Sequence, residues 1–236
     1  VLNREFLERE DGYLYFMTPP LRTKEDNETL WKGLAEDDLD VVATDHCAFT
    51  KAQKKIGDDS LNILPGIPGS ETLLPLIHHF GTEKGLNIVD IVNKLSTNPA
   101  KIFGLYPRKG SLKEGTDADI IIFDPEMSRP LDNIFMHSMA EYSPYKHIEV
   151  KGFPVTTISR GEILIDEGAY RGFRGHGQFI EAEKSSRRGL QRRFDKKYFS
   201  DSHTGGGSQL AGFQSCYKRL EALYRRRNGF HSCSGI

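Results

Sequence analysis

The sequence lacks the features that mark a membrane protein or a disulfide-stabilised one. No run of about 18 apolar residues occurs in its 236 residues, so we expect no membrane-spanning helix. Its three cysteines, Cys47, Cys216 and Cys233, are odd in number and do not have the paired spacing of a zinc knuckle, which predicts a reducing compartment. The first residues, VLNREFLERED, contain no apolar core of a secretory signal, and we therefore expect a cytoplasmic protein.

Charge is distributed unevenly along the chain, although the net charge is only -1. Residues 185–236 contain eleven basic and three acidic residues, so the preceding residues are acidic overall. A break in composition of this kind indicates a boundary, and we predict a basic tail over 185–236, disordered or outside any family. Because charge runs are usually solvated, we favour this interpretation over a nucleic-acid-binding or membrane-surface arm.

The first part of the chain alternates strand and helix patterns. Residues 12–17 (GYLYFM) and 39–44 have the aromatic and β-branched composition of strands, and residues 27–36 between them place apolar side chains at helical spacing. This order has the length of a βαβ unit and predicts an α/β fold. Because the carboxyl ends of parallel strands share one edge, Thr18 and Asp45 are expected to line the same pocket.

Three side chains that can bind a metal or move a proton follow the second of these strands. Asp45, His46 and Cys47 interrupt the run VVATDHCAF at 41–49. A buried strand that delivers polar groups at its carboxyl end is typical of an active site in an α/β barrel. An aspartate at this place is also common as a turn residue or helix cap, so both interpretations stay open on these residues alone.

A loop rich in glycine and proline comes next, at 64–72 (LPGIPGSET), and opens a helix. That helix contains His78 and His79, which point about 100° apart as helix neighbours. We therefore expect two histidines on the face of a helix, not a chelating pair. Residues 87–95 predict another helix, and Pro99 suits the first turn of the one that follows.

After Gly104 the pattern changes to short strands separated by glycines. Strands are predicted at 120–123, 148–151, 155–159 and 163–165. Closely spaced strands without helices predict a small β-sheet or β-sandwich portion. We place it at 108–184, after a first portion over 1–107.

Five segments together resemble the carboxyl-terminal half of the cyclic amidohydrolases, and most of all the dihydropyrimidinase and hydantoinase group. They follow the order of the family: TPPLR at 18–22, TDHCAF at 44–49, PGIPGSET at 65–72, STNPAKIFGLYPRKG at 96–110 and GTDADI at 115–120. The resemblance implies the C-terminal part of a metal-dependent (β/α)8 hydrolase barrel over 1–107, followed by a β-sandwich portion over 108–184.

The resemblance also implies a reaction, the opening of a small cyclic amide ring with a pair of divalent metal ions, commonly zinc. Asp45 matches the aspartate that ligates one ion and carries a proton from the attacking water to the departing nitrogen. Thr18 and Gly66 match positions whose main chain contacts the ring amide. The PGIPG wording is shared with dihydroorotases and allantoinases, which remain alternatives, as does a non-enzymatic amidohydrolase-like scaffold.

The histidine ligands that the resemblance calls for are absent, since none of the eight histidines belongs to a His-x-His pair. One aspartate cannot hold a divalent ion, because stable sites need three or more protein ligands. We therefore predict a fragment of a cyclic-amide hydrolase that is inactive by itself. By the same resemblance the native assembly is a homo-oligomer, a tetramer in the family.

Overall fold

The computed structural model describes residues 1–55, 62–132 and 136–182. By its internal contacts the chain divides into Val1–Ser185 and Ser186–Ile236, and every described residue belongs to the first unit. The predicted basic tail over 185–236 therefore lies outside the described residues. Within them, helices precede an antiparallel sheet, which confirms the predicted α/β class, and no helix is long and apolar enough to cross a membrane.

The helical elements occupy the first part of the chain. The α-helices are α1 Lys24–Ala35, α2 Lys51–Lys54, α3 Leu73–Glu83, α4 Ile88–Val92 and α5 Asn98–Ile102. Short 3-10 turns cover Arg4–Glu8, Gly12–Tyr15 and Ser70–Thr72, and a π-helical turn over Asn93–Thr97 joins α4 to α5. The helices predicted from 27, 70, 87 and 99 are thus confirmed, with shifted ends.

Helix α1 begins at a capping box, three residues before its predicted start. The Thr23 hydroxyl accepts from the Asp26 amide at 3.2 Å, and the Asp26 carboxylate accepts from the Thr23 amide at 3.0 Å. Its apolar stripe is buried against α3 and α4. The core formed there consists of Trp31, Leu34, Ile77, Leu86 and Ile91.

The strand predicted over 39–44 is not formed, which corrects the sequence interpretation. Its backbone carbonyls are bound by side chains instead: Lys94 Nζ donates to Leu39 O and Asn98 Nδ2 donates to Asp40 O, both at 2.9 Å. A strand requires a ladder with a neighbour, and among the described residues none pairs with this segment. Its even-numbered residues are half-buried and its odd-numbered ones exposed, so the alternation of an extended chain is still present.

The strand predicted over 12–17 is also wrong. Gly12–Tyr15 forms a 3-10 turn in which the Leu14 amide donates to Asp11 O at 3.0 Å. Without a neighbouring strand among the described residues, the backbone satisfies its donors locally. The aromatic and aliphatic side chains still enter a core, which consists of Leu2, Leu14, Tyr15, Ile67, Ala140 and Tyr142.

The sheet has the antiparallel order β1-β2-β3-β4, with strands β1 Ile120–Pro130, β2 Glu149–Ser159, β3 Glu162–Asp166 and β4 Ala169–Tyr170. The strands predicted at 148–151 and 155–159 are two parts of β2. Two-residue turns join the later strands, and both residues of each turn have positive φ: Arg160 and Gly161 at 48° and 84°, Glu167 and Gly168 at 49° and 81°. This is the turn that matches the twist of a hairpin.

Two histidines join helix α3 to strand β2. His78 Nδ1 donates to the carbonyl oxygen of Lys151 at 2.8 Å, and His79 Nδ1 accepts from the Lys151 amide at 3.3 Å. Nδ1 of His78 therefore bears a hydrogen, whereas Nδ1 of His79 does not. Gly152 permits this approach, because a Cβ there would lie 2.2 Å from His78 Nδ1.

Candidate active site

Asp45 lies where the extended segment 39–44 turns into the following loop. Its side chain is exposed and its backbone has a φ of 46°. Aspartate is one of the few residues besides glycine found in this left-handed region. This conformation turns the chain at the end of the extended segment, just before His46 and Cys47, which hydrogen-bond to the loop at 64–72.

The two residues after Asp45 hold the glycine and proline-rich loop at 64–72. His46 Nδ1 accepts from the amides of Gly69 and Ser70, each at 3.1 Å, and the Cys47 amide donates to the Ile67 carbonyl oxygen at 3.1 Å. The Nδ1 lone pair of His46 is therefore used within the chain. The ring of His46 is thereby fixed against the loop at 64–72.

Gly66 is buried between two other segments. Its amide donates to Phe16 O at 3.0 Å and its carbonyl oxygen accepts from Lys54 Nζ at 2.7 Å. A Cβ at this position would lie 2.5 Å from Cys47 O, so only glycine allows the contact. Because the amide is already engaged, a ring contact from Gly66 would use the second lone pair of its carbonyl oxygen.

Thr18 is exposed and lies two residues after Phe16. The hydrogen bond from Gly66 to Phe16 and the one from Cys47 to Ile67 bring the segments of Thr18, Asp45 and Gly66 together. The predicted site residues thus belong to neighbouring segments. Their individual roles remain predictions.

Lys54 is the site residue that sequence reasoning missed. Residues 51–54 form helix α2, and Lys54 is fully buried. Its ammonium donates to Phe16 O at 2.8 Å as well as to Gly66 O. Burial lowers the pKa of Lys54 from 10.5 to about 8. Burial is predicted from the spacing of apolar residues, and a lysine does not contribute to that pattern, so the sequence could not indicate that Lys54 is buried.

The metal pair implied by the resemblance does not fit the described residues. Nowhere in 1–55, 62–132 or 136–182 do three or more His, Cys, Asp or Glu side chains form a group that could hold an ion. Asp45 offers one carboxylate, and His46 has its Nδ1 engaged. A stable site needs at least three protein ligands, so the described residues do not form one by themselves.

Comparison with known proteins places this arrangement in a family. Residues 18–164 match the Amidohydrolase family, and the chain belongs to it. Among curated relatives, D-hydantoinase from Ralstonia pickettii is 37% identical over 187 residues, which are 78% of this chain and 41% of the relative. D-phenylhydantoinase from Escherichia coli O1:K1 is 36% identical over 183 residues, 76% of this chain and 40% of the relative.

Solved structures agree with these relatives. A crystal structure of D-hydantoinase matches with a TM-score of 0.76 at 34% identity, over 78% of this chain and 41% of that one. Dihydropyrimidinase from Brevibacillus agri matches with a TM-score of 0.75 at 33% identity and the same coverage. The predicted resemblance to the hydantoinase group is confirmed, and the chain spans about 41% of the length of these relatives.

Proposed function

We propose that this chain carries the aspartate corner of the active site of a hydrolase that opens small cyclic amides of the dihydropyrimidine or hydantoin type. The observation that carries the proposal is the exposed Asp45 carboxylate, held in a left-handed turn beside the segments of Thr18 and Gly66. Family membership and the names of the relatives, D-hydantoinase and D-phenylhydantoinase, support this substrate class.

The chemistry assigned to the chain's own residues is proton transfer and ring orientation. The Asp45 carboxylate would take a proton from the attacking water and deliver it to the departing ring nitrogen, as a general base and then a general acid. The main chain at Thr18 and the Gly66 carbonyl oxygen would hold the ring amide in register with that carboxylate. Holding the ring in this orientation lowers the entropic part of the activation free energy of ring opening.

The finer features implied by the resemblance belong to the same proposal. They are a (β/α)8 barrel portion over 1–107, a β-sandwich portion over 108–184, the tail over 185–236, a divalent metal pair, zinc, with Asp45 as one ligand, homo-oligomeric assembly and a cytoplasmic location. Family membership and the likeness to D-hydantoinase structures support the barrel portion, the β-sandwich portion and the metal pair. The tail rests on the excess of basic residues over 185–236, the assembly rests on the resemblance, and the location rests on the cysteine usage. Dihydroorotase or allantoinase activity remains the alternative within the family.

We further propose that the chain is inactive alone, because the described residues supply one metal-ligating carboxylate where three or more ligands are needed. The test is to assay hydrolysis of hydantoin, dihydrouracil, dihydroorotate and allantoin in the presence of zinc. The full chain would be assayed alone and together with the part of the Ralstonia pickettii enzyme that it does not match. We expect ring opening of hydantoin or dihydrouracil from the mixture only.

Two variants separate Asp45 from an unspecific effect. Asp45→Asn should abolish hydrolysis in the mixture, while Glu114→Gln, at an exposed carboxylate in the turn over 113–116, should not change it. Activity from the chain alone would contradict the proposed incompleteness. Undiminished activity of Asp45→Asn would contradict the role of Asp45, and a mixture that forms a complex but stays inactive would favour the non-enzymatic scaffold.

A further inference from the structure

The side chain of Lys54 connects two segments that are far apart in the sequence. Its Nζ lies 2.8 Å from Phe16 O and 2.7 Å from Gly66 O. The Gly66 amide donates to the same Phe16 oxygen at 3.0 Å. Phe16 O thus accepts from both the Lys54 ammonium and the Gly66 amide, and the same ammonium donates to Gly66 O, which closes a ring of hydrogen bonds.

Burying the ammonium group of Lys54 has a free-energy cost that an apolar side chain filling the same space would not have. An ammonium group taken out of water loses its hydration, which is expensive unless hydrogen bonds replace it. Lys54 is 0% exposed, and no carboxylate of the described residues forms an ion pair with it. A methionine of similar length would fill the space without that cost. What the lysine adds is two charge-assisted hydrogen bonds, which are shorter and stronger than neutral ones.

Helix α2 fixes the direction from which the lysine reaches the ring. Its amino end is closed by a capping box, in which the Thr50 hydroxyl accepts from the Gln53 amide at 3.2 Å and the Gln53 side chain accepts from the Thr50 amide at 2.9 Å. Lys54 follows directly at the last helical position. The backbone of Lys54 is held by this turn, since its amide donates to Thr50 O at 3.0 Å.

We infer that Lys54 is a positioning residue, which fixes the carbonyl groups of Phe16 and Gly66 so that the main chain at Thr18 and Gly66 faces one ring amide. The inference rests on the proposed function, because it assigns the substrate-orienting half of that site to a side chain that touches no substrate. It acts only through the two backbone segments.

The first test measures amide hydrogen exchange in the full chain and in Lys54→Met. Loss of both hydrogen bonds should free the Gly66 and Cys47 amides, whose exchange should become about tenfold faster or more. Amides of helix α3 and strand β2 should be unchanged. Lys51→Met is the matched control, since Lys51 is an exposed lysine of the same helix, and it should leave all these rates as they are.

The second test titrates the same proteins with millimolar hydantoin and follows the amide signals of Thr18 and Ile67. Lys54→Met should weaken hydantoin binding about fivefold or more at a temperature where both proteins are fully folded, whereas Lys51→Met should not. A merely structural lysine would change the melting temperature without this selective loss. Hydantoin affinity equal to that of the unmodified chain would overturn the inference and leave the proposed function intact.

If the unmodified chain gives no hydantoin response, the proposed ring contact fails, and exchange at Gly66 alone decides the role of Lys54. Unchanged exchange at Gly66 and Cys47 in Lys54→Met overturns the inference in either case. Should Lys54→Met not fold, couplings across the hydrogen bonds from Lys54 Nζ to the carbonyl carbons of Phe16 and Gly66 can be measured in the unmodified chain. Their absence would equally overturn it.

Discussion

The backbone of Gly66 lies directly against Cys47: a Cβ on residue 66 would sit 2.5 Å from the Cys47 carbonyl oxygen and 2.9 Å from its Sγ. This contact joins the stretch that carries Asp45 to the loop at 64–72. The space is occupied by the backbone of Cys47 and not by the end of a flexible side chain, so Cys47 cannot move away without a cost in free energy. The distance between the two segments is therefore set by the absence of a side chain at position 66.

Gly66→Ala should for this reason destabilise the chain by about 1–3 kcal/mol, the usual cost of forcing an extra methyl group into a packed site. The measurement is the free energy of unfolding in urea. Gly177→Ala is the control, because nothing lies within 4 Å of a Cβ at that position, and it should change the free energy by less than about 0.5 kcal/mol. Equal stability of the two variants would contradict the close approach.

The elements predicted correctly are those whose signal is local. Helix α1 shows its apolar spacing and its Thr23 cap within one stretch, and the strands β1 to β3 are marked by β-branched runs and turn glycines. The segments 12–17 and 39–44 have strand composition too. Strands need a neighbour, however, and composition cannot say whether one is present.

The residues of the candidate site also differ in whether a local signal in the sequence points to them. Asp45 was predicted from its place after an apolar run and from the family resemblance, both of which can be read from the sequence. Lys54 could not be predicted, since burial of its ammonium depends on carbonyl groups at Phe16 and Gly66, one of which lies 38 residues away. When the hydrogen-bond partners of a charged group are distant in the sequence, the residues near that group carry no signal of its burial.

The left-handed backbone of Asp45 gives a prediction that separates conformation from chemistry. Asp45→Asn should leave the free energy of unfolding nearly unchanged, because asparagine also adopts this region readily. Asp45→Val should lower it by about 1–2 kcal/mol, since a β-branched residue is strained there. Unfolding in urea measures both. Glu114→Val, at an exposed position without a positive φ, is the control for the valine side chain and should have a smaller effect.

The link between helix α3 and strand β2 depends on His78. His78→Ala removes the 2.8 Å hydrogen bond to Lys151 O and an edge contact with the Phe123 ring at 4.8 Å. We expect a loss of about 1–3 kcal/mol in unfolding free energy. His147→Ala is the comparison, since His147 is exposed and contacts the Arg9 side chain at 3.2 Å. A cost at His78 no larger than at His147 would show that the link contributes little.

Acid stability should depend on the ion pairs of Asp117 before strand β1. The hydrogen bond from Lys109 at 2.9 Å, with Arg108 at 3.1 Å, holds the pKa of the Asp117 carboxyl below its usual 3.8. The folded state therefore binds this proton less readily than the unfolded state. The resulting stability is present above pH 3.8 and is lost as the pH falls through the lowered pKa.

Lys109→Met should raise the pKa of Asp117 and also that of Asp119, to which Lys109 donates as well, and make the free energy of unfolding less dependent on pH below 3.8. The measurement is urea unfolding at several pH values between neutrality and that range, where the variant's deficit relative to the unmodified chain should shrink as the pH falls. Lys113→Met is the matched control, an exposed lysine of the same region, and its pH dependence should follow the unmodified chain. A deficit that stays constant across the titration would show that Lys109 acts through packing and not through its charge.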